Sequence, residues 1–263
     1  RFPLVWDHKG TTSSLKINIK TKTILLYLFT MKIAFYTCFF GADSNERNKI
    51  PPCPSKVHDC FFYTNNSNTY ARLENTGWNP VFINIPVKNN LTADAMDAKH
   101  LKACPYMYPE LNGYDATCYF DSALTVKTEE VVELATNAFT YSNYDILIAR
   151  HPFISATWPP SAKSEFANAM LQPRYAVERE KYEKYMAEQI RSGLLETDDI
   201  HYATGFIVRK NNMEMRKLGE IWYRHILACG IECQISFFFV QQMFKGKIYG
   251  IDPYSCFAQL KNF

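Results

Sequence analysis

Short, almost uninterrupted apolar runs alternate along the chain with longer segments in which apolar positions recur every three or four residues. The runs at 32–40 (KIAFYTCFF), 58–65 (HDCFFYTN), 80–86 (PVFINIP), 116–121 (ATCYFD) and 144–150 (YDILIAR) have the length and aromatic, β-branched character of strands. Helical spacing appears at about 94–108 and 128–139. Thr128 stands as the cap of the second helix, with Glu129 and Glu130 in its first turn, where acidic groups suit the helix dipole. Strands that are apolar throughout, separated by helices, are what a sheet covered on both faces requires. The expected fold is α/β: one domain with a mainly parallel, Rossmann-like sheet flanked by helices.

Beyond Arg150 the pattern changes. HPFISATWPPSAKSEF (151–166) is rich in proline and aromatic residues and predicts mostly irregular structure. In the segment 175–193, helical spacing places Tyr175, Arg179, Tyr182, Met186 and Ile190 on one face, with a stop at Gly193. HYATGFIVRKN (201–211) returns to strand character, 212–230 and 232–244 predict two helices, and KIYGID (247–252) a last short strand.

The first thirty residues break the alternation. KINIKTKTILLYLF (16–29) runs from basic to apolar, as a signal peptide does, but Lys32 follows closely and no small-residue cleavage site does. The apolar run is also too short to span a bilayer. Met31 opens MKIAFYTCFFG and reads as a natural start, so 1–30 is expected to be upstream sequence and 31–263 the folded domain.

Composition changes this picture little. Hydrophobic residues make up 47% and aromatics 15%, a globular balance that argues against disorder. Net charge is +3, from 29 basic and 26 acidic side chains, so no nucleic-acid partner is expected, while a local basic pocket for phosphate stays open. Eight cysteines are scattered, mostly in apolar runs, without CxxC or zinc-ribbon spacing. They read as buried free thiols of a cytoplasmic protein, with disulfides in a secretory lumen as the alternative. Cys229 and Cys233 are spaced to share a helix face, but two ligands make no metal site. Sequons begin at Asn65 and Asn90.

Ligands of open α/β sheets lie beyond the carboxyl ends of the strands. Asp121 ends the fourth predicted strand, where a carboxylate either coordinates a divalent ion or a sugar hydroxyl, or merely begins a loop. Thr37 and Gly41, at the end of the first strand, are short enough to approach a nucleotide. Lys99, His100 and Lys102 offer cations for a diphosphate, and Arg150 and His151 close the fifth strand. Trp158, before two prolines, is a candidate wall for a sugar face. Neither a dinucleotide glycine fingerprint nor a phosphate loop is present, nor the zinc-protease and nucleophile-elbow motifs.

Taken in order, CYFDSALTV, DILIARHPF, a Tyr/Glu-rich helix, GLLETDDIHYATGFIVRKNN and ECQISFFF resemble a plant, microbial and algal-virus family of GT-A-type glycosyltransferases, first catalogued as a domain of unknown function. The resemblance covers about residues 31–245. The family's W-I/V-D-G/A corresponds to YFDS, which implies that Asp121 stands near metal and donor diphosphate. Its R-H corresponds to Arg150 and His151. Its R-D-Q-x-S-F corresponds to ECQISF, so a cysteine, Cys233, stands where the family has aspartate and Glu232 lies one residue earlier. Ala123 occupies the second place of the Asp-x-Asp pair of many GT-A enzymes, which puts strong manganese binding in doubt.

What the resemblance implies is transfer of a sugar from a nucleoside diphosphate sugar, a UDP-sugar such as UDP-xylose or a UDP-hexose, to a hydroxyl of a glycan. Donor binding falls to Thr37, Gly41, Lys102, Asp121 and Arg150. Asp121 is also the candidate ligand of a manganese or magnesium ion. The acceptor-side base is sought among Glu232, Glu196, Asp198 and Asp199, with Glu232 preferred. His151, Trp158, His201, Thr204 and Gln234 are expected to contact substrate. A sugar-binding or inactive descendant, and a nucleotidyltransferase, are the competing classes. No stable membrane insertion is expected.

Overall fold

The computed structural model describes residues 31–45, 48–154 and 158–259. The expectation for residues 1–30 therefore lies outside the described residues. Seven strands form the main sheet: β1 (Ile33–Phe39), β2 (Cys60–Thr64), β3 (Asn79–Phe82), β4 (Ala116–Phe120), β6 (Ile146–Arg150), β7 (Tyr202–Lys210) and β8 (Ile248–Ile251). Their order is β3-β2-β1-β4-β7-β6-β8. A short antiparallel pair, β5 (Leu124–Val126) with β9 (Phe257–Gln259), stands apart.

All pairings in the main sheet are parallel except those of β7, which runs against both β4 and β6. The expected sheet, mainly parallel and flanked by helices, is thus observed with one inverted strand. Side chains alternate between faces along a strand, and here both faces are closed. Phe35, Cys118, Phe120, Phe206 and Val208 pack with Val131, Ala135 and Phe139 of helix α3 (Thr128–Tyr141). On the other face Ala34, Tyr36 and Tyr119 pack with Leu101 of α2 (Leu91–Ala103). There too, Ile148 and Ile207 meet Leu218 and Trp222 of α7 (Met213–Cys229) and Phe237 of α8 (Cys233–Val240). This double burial is why the strands are apolar throughout rather than alternating.

The remaining helices are α1 (Ser67–Arg72), α4 (Ala162–Ala169), α5 (Pro173–Ala176), α6 (Arg179–Arg191) and α9 (Pro253–Cys256). Several sequence expectations are corrected here. The helix sought at 94–108 is α2, capped earlier by Asn90, whose Oδ1 accepts from the Ala93 amide. Thr128 does not cap α3: Lys127 precedes the helix without a side-chain cap, and the Thr128 hydroxyl donates to Pro54 O at 2.7 Å. The Tyr-rich segment is two helices, α5 and α6. Tyr175, Tyr182 and Met186 are buried as expected, whereas Arg179 and Ile190 face outward. Within 151–166, the last residues already belong to α4, with Ser161 as N-cap. Cys229 ends α7 and Cys233 begins α8, separated by Gly230 at φ +123°, so they share no helix face. All eight cysteines are free thiols, and all but Cys53 are buried. Among the described residues no helix is long and apolar enough to cross a membrane.

Candidate functional site

An antiparallel strand begins where its parallel neighbours end, so the start of β7 joins the carboxyl end of β4. The Asp121 amide donates to Gly205 O at 2.8 Å, just beyond the Phe120–Phe206 pair. A Cβ on Gly205 would lie 3.0 Å from Asp121 Oδ2, so the absence of a side chain there is what gives the carboxylate its room.

Asp121 is held from the opposite side by α2. Helix side chains tilt toward the helix N-terminus, and residues three apart share a face; both Lys99 and Lys102 reach toward the strand end. Lys102, 2% exposed, places Nζ 3.2 Å from Asp121 Oδ1, while 49% of the Asp121 side chain stays accessible. The same oxygen accepts the Tyr119 hydroxyl at 2.6 Å, and the ammonium lies 4.7 Å from the centre of the Tyr119 ring. Burial works against the Asp121 charge, but Lys102 and then Lys99 outweigh it and hold the carboxyl below its ordinary range. Burial likewise opposes the Lys99 charge, yet Cys233, Asp121 and Glu232 around it raise its pKa. The site is a recess: a half-open carboxylate with the buried Lys102 ammonium behind it and the partly accessible Lys99 beside it.

Next to it lies a second cluster. Cys233 Sγ sits 3.9 Å from Lys102 Nζ and 3.2 Å from Thr204 Oγ1. The Gln234 side chain accepts from the Thr204 amide at 3.0 Å and donates to Glu165 Oε1 at 2.9 Å. Glu165 Oε2 lies 2.8 Å from His201 Nε2 and 3.6 Å from His151 Nε2. His151 Nδ1 accepts from the amides of Phe153 and Ile154, at 3.2 and 3.0 Å. That fixes its neutral tautomer with the proton on Nε2, toward Glu165. Burial pushes the His151 pKa down to about 4 despite the carboxylate. Burial opposes the Glu165 charge too, but the hydrogen bond from His201 outweighs it and holds the carboxyl low.

Glu232 is 5% exposed and serves as the N-cap of α8, accepting from the Gln234 amide at 3.0 Å. Burial, and next the Glu165 carboxylate, push its carboxyl above the ordinary range. It is therefore both a helix-opening acid and a buried group biased toward its neutral form.

Of the sequence-derived candidates, Asp121, Lys102, Glu232, His151, His201, Thr204 and Gln234 are brought together at this edge. Gly41, at φ +134°, donates its amide to Asn65 Oδ1 and accepts from Asn66 Nδ2, so it locks the end of β1 to that of β2. Thr37 is sealed inside the sheet at 0% exposure and reaches no recess. Arg150 is exposed at the end of β6, past a register shift, and lies against Gly250 and Tyr202 rather than beside Asp121. Trp158 is 37% exposed and bridges to Ile154. His100 is turned away, hydrogen-bonded to the Tyr108 hydroxyl at 2.8 Å. The two sequons are structural: Asn65 is buried under Gly41, and Asn90 caps α2. Among the other acids sought as a base, Glu196 pairs with Lys163 and Asp198 with Lys245, at 2.7 and 2.8 Å, while Asp199 is exposed.

Glu165 was not among the candidates. The signal was there: Ser161 after two prolines opens a helix whose inward stripe, Ala162, Glu165, Ala169, contains a single charged position.

No family model matches the sequence, and no curated protein matches it. Among solved structures, the chain is similar to the apo crystal structure of mouse xyloside xylosyltransferase 1, with a TM-score of 0.47 and 11% identity over 84% of this chain and 85% of that one.

A divalent cation suits this arrangement poorly. Among the described residues no three His, Cys, Asp or Glu side chains are grouped to hold a metal ion. Asp121 has one oxygen already engaged by Lys102 and Tyr119. A dication placed against the other oxygen would face two ammonium groups, a repulsive arrangement.

Proposed function

We propose that the chain is a GT-A-type glycosyltransferase that moves a sugar from a nucleoside diphosphate sugar, of the UDP-xylose or UDP-hexose class, to a hydroxyl of a glycan. One observation carries this reading. The separate segments by which the sequence resembles that family, YFDS, ARHPF, HYATGF and ECQISF, supply Asp121, His151, His201, Thr204, Glu232 and Gln234 to one carboxyl edge. In open α/β sheets this is the edge at which ligands lie.

In this reading the donor diphosphate lies against the Asp121 recess, where fixed positive charge stabilises the leaving group as its negative charge grows. The acceptor approaches from the side of β7 and α8. Gln234, which is partly exposed, meets it, and the buried His151, His201, Thr204 and Glu165 hold Gln234 and the strand ends in register. Glu232 is the candidate base: its raised pKa makes the ionised carboxylate a stronger proton acceptor than an ordinary one, and in that form it takes the hydroxyl proton. A cytoplasmic glycan-building system is the setting proposed for it.

The test is nucleotide release from a panel of UDP-, GDP- and dTDP-sugars with simple glycosides as acceptors, alongside Asp121→Ala. Turnover of one donor that disappears in the variant is the expected result. Binding of donor without release under any acceptor supports the sugar-binding alternative, and pyrophosphate release supports a nucleotidyltransferase.

A further inference from the structure

The far end of β7, at the sheet edge opposite to Asp121, carries charge that no carboxylate balances. Arg209 is 2% exposed, and its two Nη atoms donate to the Lys102 and Ala103 carbonyls at the end of α2. Its remaining donor, Nε, is buried without a partner, and so is Nε of Arg216 near the start of α7. Both side chains line one cavity, where the end of β7 and the start of α7 meet the segment before β4. No acidic side chain lines it. Lys210, also in its wall, is paired with Asp145 at 3.0 Å, and Asp145 is further engaged by Lys247 and Asn212. Neither Arg209 nor Arg216 has a carboxylate partner among the described residues. The carbonyls that end α2 supply Arg209 with only the partial negative charge of a helix terminus, and the opening of α7 adds positive potential beside it.

We infer that this cavity is a site for one small monovalent anion of chloride size, taken by the Nε–H groups of Arg209 and Arg216, and that the anion joins β7, α7 and the end of α2. The chemistry follows from the donors. Guanidinium groups only donate, so two orphaned Nε–H groups at one cavity require an acceptor from outside the side chains around them. A water molecule can accept from such donors but leaves the buried charge uncompensated, which is the costly part. Size selects the anion. The cavity offers the centre of a water-sized sphere about 10 Å³, room for one such sphere and too little for a tetrahedral oxyanion. Leu111, Tyr106 and Met215 in the wall suit a weakly hydrated halide better than an anion that needs many donors. This site is independent of the glycosyltransferase reading.

The experiment is thermal unfolding of the full chain in chloride, bromide, inorganic phosphate and gluconate, at one pH and one ionic strength. The chlorine nuclear-resonance linewidth is measured on the chloride samples. Arg216→Met is compared with the unsubstituted protein, because Arg209 also holds the end of α2 and its removal would act there as well. Arg216→Lys, which keeps the charge but not the Nε–H, takes its place should Arg216→Met fail to fold. The expected result is a Tm higher by about 3 °C or more in chloride or bromide than in gluconate, the scale that a well-filled site gives a domain of this length. The chlorine line should broaden with the parent protein, and Arg216→Met should remove both effects, or Arg216→Lys more than half of each. Equal Tm values in chloride and gluconate mean that screening alone acts, and overturn the site. A chloride shift kept in full by a folded Arg216 variant overturns it too. Stabilisation by phosphate where chloride has none overturns the halide assignment.

Discussion

Arg209 donates from Nη2 to the main-chain oxygen of Lys102 at 2.6 Å, and from Nη1 to that of Ala103 at 3.0 Å. The guanidinium is 2% exposed and meets the last carbonyls of α2, where the helix dipole favours a cation. One strand, β7, thus places Gly205 under Asp121 near its start and fixes the lysine-bearing helix near its end.

Arg209→Met should leave two buried carbonyls without donors and release the end of α2. The expected loss is about 3 kcal/mol, read from the urea unfolding midpoint. Arg209→Lys, which cannot fork to both oxygens, should recover only part of it.

Gly219 lets α7 pass close to the same helix end: a Cβ there would lie 2.3 Å from Ala103 O. Since that atom is backbone held by Arg209, it cannot simply rotate away. Gly219→Ala should destabilise by about 2–3 kcal/mol, the usual scale of overpacking, despite the better helix propensity of alanine. A thermal melt decides it, because a variant as stable as the parent would mean the helices separate freely.

At Gly205 the added methyl meets a carboxylate instead, 3.0 Å from Asp121 Oδ2. The carboxylate can turn, so stability should change little while its aim is lost. Gly205→Ala is expected to lower donor turnover by about tenfold or more, the scale set by roughly 1 Å of misplacement. Its unfolding transition should stay within a few degrees of the parent.

His151 gives a pH signature. Its folded pKa, lowered by burial from 6.5 to about 4, lies below that of the unfolded chain. Between those values the unfolded state binds the extra proton, so the stability this site contributes is complete above pH 6.5 and is lost as pH falls toward 4. The loss amounts to at most about 3 kcal/mol. Chemical unfolding followed across this interval should show the slope, and His151→Gln should flatten it.

For Glu232 the shift runs the other way, upward. A base must be ionised to accept a proton, so turnover should fall as pH drops through a value above the ordinary carboxylate range. Glu232→Gln should abolish turnover at every pH while UDP still binds; a variant that keeps the parental pH–rate profile would remove Glu232 from the reaction.

Most of the architecture was legible because the central strands are buried on both sides. The runs around Phe35, Phe62, Cys118 and Ile148 needed no tertiary information to be read as strands of a covered sheet. The direction of β7 was not legible, since a strand's hydrophobic pattern is the same read either way. Asp121 could be placed at a strand end by its position after ATCYF, and Lys102 could be named as a cation, but their pairing depends on how α2 lies across the sheet. Glu165 escaped because a charged residue suggests an outward face unless its partners are known. Those partners are His151 just after β6, His201 just before β7 and Gln234 in α8. Thr37 shows the opposite failure: its position near the end of the first strand suggested access, but the pleat turns its side chain into the closed sheet.

The burial of seven of the eight thiols also has a practical side. Cys60, Cys118, Cys229 and Cys233 sit on β2, β4, α7 and α8, so each tags a different part of the molecule with a group that reacts only when solvent reaches it. The rate at which an alkylating reagent modifies each one, followed by mass spectrometry, would time the local openings of the sheet and of its helical cover separately. The chain carries its own set of clocks.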